Sequence, residues 1–216
     1  MVTFAYNLTI GFTKMTKNHP FKDWGDVLYK DEIELRIHAA QTMIQSSRAF
    51  PSDKLLSLVG LAIETFAAKG KIAFVGNGGS AAEAIHLAAE FTGKCVNAHR
   101  PVSAICLNES QSAITAIGND YGFEHVYSRQ VEAHLKRGDL LIALSTSGRS
   151  QNILNALKTA NTIGVKSILW MGEFDFDYSN LGVEVWKAPS TSTPRIQELH
   201  LMWGHILAEV VELHLD

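Results

Sequence analysis

The stretch KIAFVGNGGSAAEAIHLAAEFTGK, residues 71–94, decides the fold. It opens as an apolar run of strand length, passes through a turn with glycine at 76, 78 and 79, and continues in residues that favour helix. A buried strand feeding a helix through a glycine-rich turn is the first half of a βαβ unit. The same order recurs downstream. Ser103–Leu107 (SAICL) precedes a segment opening with Ser and Gln, and Asp139–Ser145 (DLLIALS) runs into TSGRS and a helical stretch, Gln151–Gly164. Lys166–Met171 (KSILWM) and Val183–Lys187 (VEVWK) complete the set. Five apolar strands interleaved with helices predict an α/β fold, a three-layer sandwich whose five-stranded parallel sheet is covered on both faces, flavodoxin-like in its winding.

Two helices are expected before the first strand. Ile33, Leu35, Ile37, Ala40, Met43 and Ile44 recur near the helical period within Lys30–Ser47, and Pro51-Ser52-Asp53 stops that run. A second helix through Leu56, Val59, Ile63 and Phe66 starts from Ser52 or Asp53 as cap and ends at Gly70. The last helix covers about Thr193 to His214.

Composition narrows the function classes. The chain has 216 residues, 46% hydrophobic and 19% charged, which suits one sizeable core. No run of apolar residues reaches membrane-spanning length, so a membrane role is not expected. Nineteen Lys and Arg against 22 Asp and Glu leave a net charge of -3, without the basic excess that nucleic-acid binding requires. Cys95 and Cys106 form no CxxC pair, and so few thiols fit a reducing, cytoplasmic setting. Residues 1–14 carry neither the basic start nor the long apolar run of a secretory signal, and Met15 opens a second, more polar start. Residues 1–14 are therefore expected to be a weakly ordered extension or an over-long start assignment.

Two turns have the makings of an anion site. Gly76-Asn77-Gly78-Gly79-Ser80 lies between strand and helix, where unpaired N–H groups and the positive helix end face outward. Ser80 there serves as cap and hydroxyl donor. Ser145-Thr146-Ser147-Gly148-Arg149-Ser150 has the same placement and four hydroxyls in six residues, more than capping needs. Neither turn has the spacing of a nucleoside-triphosphate loop or of a dinucleotide fingerprint, which leaves a sugar phosphate or similar small ester. In the helix after the first turn, His86 and Glu90 are spaced i, i+4 and project from one face. They can bind a divalent metal, act as a general acid/base pair, or form an ordinary surface contact. In the last helix Gln197 and His205 stand eight residues apart, too far along the axis for spacing alone to pair them.

GNGGSAAEAIHLAAEFTGK (76–94), TAIGNDYGFEHVYSRQVEA (115–133), STSGRS (145–150) and RIQELHLMWGHILAEVVE (195–212), taken together, resemble the phosphoheptose isomerases, a branch of the sugar isomerase (SIS) domain family. The resemblance implies a homotetramer with active sites between subunits that isomerises sedoheptulose 7-phosphate to glycero-manno-heptose 7-phosphate for bacterial surface glycans such as lipopolysaccharide. It runs from about residue 28 to the end, which leaves residues 1–27 as an N-terminal extension and residues 28–216 as a single SIS domain, and it implies a role for particular residues. Ser145, Thr146, Ser147 and Ser150 would hold the phosphate, with Asn77, Gly78, Gly79 and Ser80 completing the substrate site and Asp120 facing sugar hydroxyls. Glu90 and His205 would be the acid/base pair, and His86, Glu90, Gln197 and His205 the ligands of one zinc per subunit. Three positions depart from the family pattern: Lys94 where arginine is common, Pro194 where an acid is common, and Arg149 where asparagine is common. The alternative reading is a non-catalytic SIS module that binds a sugar phosphate and a protein partner; such a module can lose the metal and acid/base set and keep the serine turn.

Overall fold

The computed structural model describes residues 28–46 and 48–215. The extension expected over residues 1–27 lies outside the described residues, and a boundary between compact units falls inside the first helix, after His38. In chain order the elements are α1 (Leu28–Gln45), α2 (Ser52–Ala67), β1 (Ile72–Gly76), α3 (Gly79–Thr92), β2 (Ala104–Cys106) and α4 (Gln111–Tyr121). There follow α5 (Ser128–His134), β3 (Leu140–Leu144), α6 (Gln151–Thr162), β4 (Lys166–Met171), β5 (Glu184–Lys187) and α7 (Thr193–Glu212). All five predicted strands form. They make one parallel sheet in the order β2-β1-β3-β4-β5, with Phe74 opposite Ile142 and Ile142 opposite Ile168. The expected α/β sandwich is the observed one.

Side chains alternate across each strand, so each strand serves two cores. Phe74, Leu140, Ile142, Leu144, Ile168 and Trp170 face a core shared with α2, α3 and α7. Val75, Leu141, Ala143, Leu169 and Met171 face a second core under α5 and α6. Trp170, Trp186 and Trp203 pack as a triangle, with ring centroids 5.5–5.9 Å apart, and tie the sheet to α7. The Trp203 indole also donates to the Ala49 carbonyl at 2.6 Å. No helix among the described residues is long and apolar enough to cross a membrane.

The first helix forms as expected but leaves much of its apolar face open, and the ends of the second differ from expectation. Of the apolar positions on α1, Met43 is buried, whereas Ile33, Leu35 and Ile37 are more than half exposed. Helical periodicity marks a face that needs cover without saying what supplies it. At α2 the cap position belongs to Pro51, with no side-chain cap bond, and Ser52 and Asp53 lie inside the helix. At its far end Lys69, not Gly70, takes the positive φ, of 56°. Gly70 is required for closeness instead, because a Cβ there would overlap the Gly138 carbonyl.

Candidate active site

The order of the strands reverses between β1 and β3, and both serine- and glycine-rich turns leave the sheet at that point, where open α/β sheets bind ligands. After β1, Gly78 has φ 56° and takes the cap position of α3. Ser80, expected as the cap, sits instead in the first turn of the helix and is buried. Gly76 is held by the side chain of Asn108, whose oxygen accepts from its N–H at 3.1 Å and whose amide donates to its carbonyl at 2.9 Å. The same amide donates to the Tyr127 hydroxyl at 2.7 Å. Burial pushes the Tyr127 hydroxyl pKa up, and the Asn108 bond partly opposes it. Asn77 and Asn152 exchange amide hydrogen bonds, 2.9 Å in each direction, and so link the first turn to α6, which follows the second. Asn77's side chain is thus engaged inside the protein.

The second turn is shaped by Gly148, at φ 65°. A Cβ there would overlap the Tyr178 hydroxyl and Met171. Tyr178 donates to the Gly148 carbonyl at 3.2 Å from beneath the turn. Burial raises the pKa of that hydroxyl, with the Arg149 charge opposing. The Ser147 oxygen accepts from the Arg149 N–H at 3.2 Å. Ser150 precedes α6 in extended backbone, and its hydroxyl makes no cap bond. The Ser145 hydroxyl is buried and meets no hydrogen-bond partner among the described residues. A buried hydroxyl without a partner costs stability unless a ligand supplies one, and the Ser145 hydroxyl suits an anionic oxygen.

A third group comes from α3 and α7. Leu87 packs on Gly204, where a Cβ would overlap the leucine, and this close approach brings the neighbouring His86 and His205 together. The two Nε2 atoms are 2.9 Å apart, and His86 Nε2 lies 3.1 Å from Glu90 Oε1. The ligand atoms of His86, Glu90 and His205 all fall within 4.8 Å of one another. Two imidazole nitrogens and a carboxylate oxygen, with His86 half exposed, make a donor set suited to a small divalent cation with one side open. Tetrahedral zinc would set neighbouring nitrogens about 3.3 Å apart, a small widening of the observed gap. Gln197 lies farther up α7, its amide against Gly79.

The other predicted positions sit at the surface. Asp120 is exposed on the last turn of α4, where its oxygen accepts from Asn119 at 2.7 Å. Lys94 and Arg149 are exposed, and Pro194 occupies the first turn of α7, where proline is easily accommodated. Several site residues gave no usable signal in sequence. Asn108, Tyr127, Asn152 and Tyr178 act across 30 or more positions, beyond the reach of spacing arguments. Glu83, one turn before His86, keeps one buried oxygen without a partner among the described residues, and burial pushes its pKa up to about 7 against the Ser80 hydroxyl. Its alanine neighbours were the available hint.

Comparison with known proteins agrees with this geometry. Residues 37–169 match the SIS domain family. The phosphoheptose isomerase of Rhodospirillum rubrum is 41% identical over 174 residues, covering 81% of this chain and 92% of that protein. Among solved structures, the phosphoheptose isomerase of Neisseria gonorrhoeae superposes with a TM-score of 0.77 at 32% identity, over 85% of this chain and 99% of that one. That of Francisella tularensis gives 0.80 at 26% identity, over 87% and 100%. Sheet order, paired turns, the helix-borne histidines and these likenesses agree: the chain belongs to the phosphoheptose isomerase branch of the SIS domain family.

Proposed function

We propose that the chain interconverts sedoheptulose 7-phosphate and D-glycero-D-manno-heptose 7-phosphate, as a cytoplasmic homotetramer with one zinc ion per subunit, for bacterial surface-heptose synthesis. The observation that carries this reading is the convergence of His86, Glu90 and His205 from two helices. It favours an enzyme over a sugar-phosphate-binding module, which has no use for an acid/base cluster.

Ser145, Thr146, Ser147 and Ser150 hold the phosphate; the unpartnered Ser145 hydroxyl supports this assignment. Asn77, Gly78, Gly79 and Ser80 shape the sugar side through backbone groups and the fixed turn, and Asp120 takes sugar hydroxyls. With the ester anchored, the first two carbons lie at His86, Glu90 and His205. Glu90 removes the C1 proton of the ketose, the C–H electron pair moves into a C1–C2 double bond, and His205 protonates the former carbonyl oxygen O2. Glu90 then returns its proton to C2, and His205 takes the proton of the O1 hydroxyl, leaving the aldehyde at C1. Proton count and charge are restored. His86, Glu90, Gln197 and His205 would hold the zinc, which would polarise the substrate oxygens and so lower the cost of the enediolate.

The reaction is tested by incubating the protein with sedoheptulose 7-phosphate, with added zinc or with chelator, and following aldose formation. Turnover with zinc that fades under chelation is expected. No aldose from zinc-loaded protein that still binds the ester overturns the reading. The tetramer draws support from the exposed apolar side chains of α1. Changing Ile33 and Ile37 together to glutamate is expected to shift the light-scattering mass below that of four chains. An unchanged mass removes α1 from the interface.

A further inference from the structure

Helices α3 and α7 meet at three levels. Gly79 lies against Gln197, Leu87 against Gly204, and the segment just past α3 against Glu212 at the end of α7. Partner numbers rise together at each level, so the helices run parallel and nearly in step. The first two contacts are close packing, which fixes how near the helices come but resists sliding weakly, because dispersion has little directionality.

The third contact is directional. Glu212 is 4% exposed and ends a helix whose other described acids reach solvent more freely. Its Oε1 accepts from Val96 N at 3.0 Å, Asn97 N at 2.9 Å and Asn97 Nδ2 at 3.1 Å, and its Oε2 from Cys95 N at 3.3 Å and Val96 N at 3.2 Å. His99, itself buried, stands 4.0 Å away. One carboxylate thus closes off three successive backbone N–H groups, a contact with both charge and direction. These residues begin five positions after Glu90, and Glu212 lies seven after His205, so the clamp and the His86/Glu90/His205 cluster share the same two helices.

We propose that Glu212 is a positioning residue for the active-site cluster, its hold on residues 95–97 fixing the axial register of α3 against α7. The proposal builds on the function given above only in treating that cluster as the reactive one. One residue of slip along a helix axis is about 1.5 Å. That is about half of the 2.9 Å between the two Nε2 atoms, and far beyond the ~0.2 Å tolerance of metal–ligand distances. Loss of register therefore separates the ligands without unfolding either helix.

The test uses the full chain with Glu212→Asp, which keeps the charge but is one methylene too short to reach all three N–H groups, and with Glu212→Gln, which keeps the length and one acceptor oxygen. In the metal-free proteins, ring 1H–15N correlations of His86 and His205 are expected to move in Glu212→Asp and to stay closer to wild type in Glu212→Gln. Titration with Co²⁺ alone is expected to show roughly tenfold or greater loss of affinity in Glu212→Asp, with partial rescue in Glu212→Gln. Inorganic phosphate affinity, a property of the other turn, is expected to hold in both. Unmoved histidine signals in a folded Glu212→Asp overturn the proposal, as do equal losses of cobalt and phosphate binding, which mark general damage. If wild type itself binds no Co²⁺, the metal reading falls, while the metal-free histidine signals still decide the register.

Discussion

At the scale of single residues, the serine-rich turn after β3 depends on a side chain from far along the chain. Tyr178 reaches Gly148 from the segment between β4 and β5, bonding its carbonyl in the space a Cβ would need. Tyr178→Phe removes one hydrogen bond worth ~0.5–1.5 kcal/mol, so a KM raised roughly two- to tenfold is expected, with kcat little changed. Steady-state kinetics on the heptose phosphate check this; a lowered kcat at constant KM would place Tyr178 in the chemistry instead. The serines of the turn were readable because four hydroxyls cluster within six residues. Tyr178 was not, because its role depends on how the chain folds back, and nothing local distinguishes it from a core tyrosine. His86 and Glu90 were legible as an i, i+4 pair, but the approach of His205 depends on Gly204, whose meaning appears only once Leu87 lies against it.

At the scale of elements, the strands were the most legible feature, since the central β1 and β3 and most of β4 are buried on both faces and read as apolar runs. Helix ends were less so. Ser52, Asp53 and Ser80 all have the chemistry of a cap, yet the cap positions fall to Pro51 and Gly78, because the turn entering each helix leaves those side chains inside it. Ser110 does cap α4, accepting from the Ala113 N–H at 3.2 Å. Ser110→Ala is expected to cost about 1 kcal/mol and to lower Tm by a few degrees in calorimetry. Because α4 carries Asp120 on its last turn, hydrogen exchange should quicken first across Gln111–Tyr121. Uniform quickening across the molecule would show that α4 does not open by itself.

At the scale of the molecule, α7 is the long strut on which both core and cluster depend. His200 sits on its inner side, fully buried beside Trp170 and Trp203, with neither ring nitrogen meeting a partner at hydrogen-bonding geometry among the described residues. The sequence showed it as an ordinary helix residue, since nothing in the residue order reveals which side of α7 meets the sheet. Burial pushes its pKa from 6.5 down to about 3, against a weak pull from the Met171 backbone. The folded state keeps it neutral until pH nears 3, while the unfolded chain takes up the proton below 6.5. Its contribution to stability is therefore complete above pH 6.5 and is lost as pH falls from there toward 3, about 2 kcal/mol by pH 5. Urea denaturation of wild type and His200→Leu at pH 7.5 and pH 5 is expected to show a shallower acid loss in the variant. Parallel losses would assign the acid sensitivity elsewhere.

The amides of Asn77 and Asn152 clasp each other without a formal charge on either side. Dissolved salt has little to screen there, and no proton within the working range alters the bond. The spacing between the two turns is thus insulated from ionic conditions. A fall in substrate affinity in acid then traces to the ester's own second ionisation, near pH 6, rather than to the two turns spreading apart.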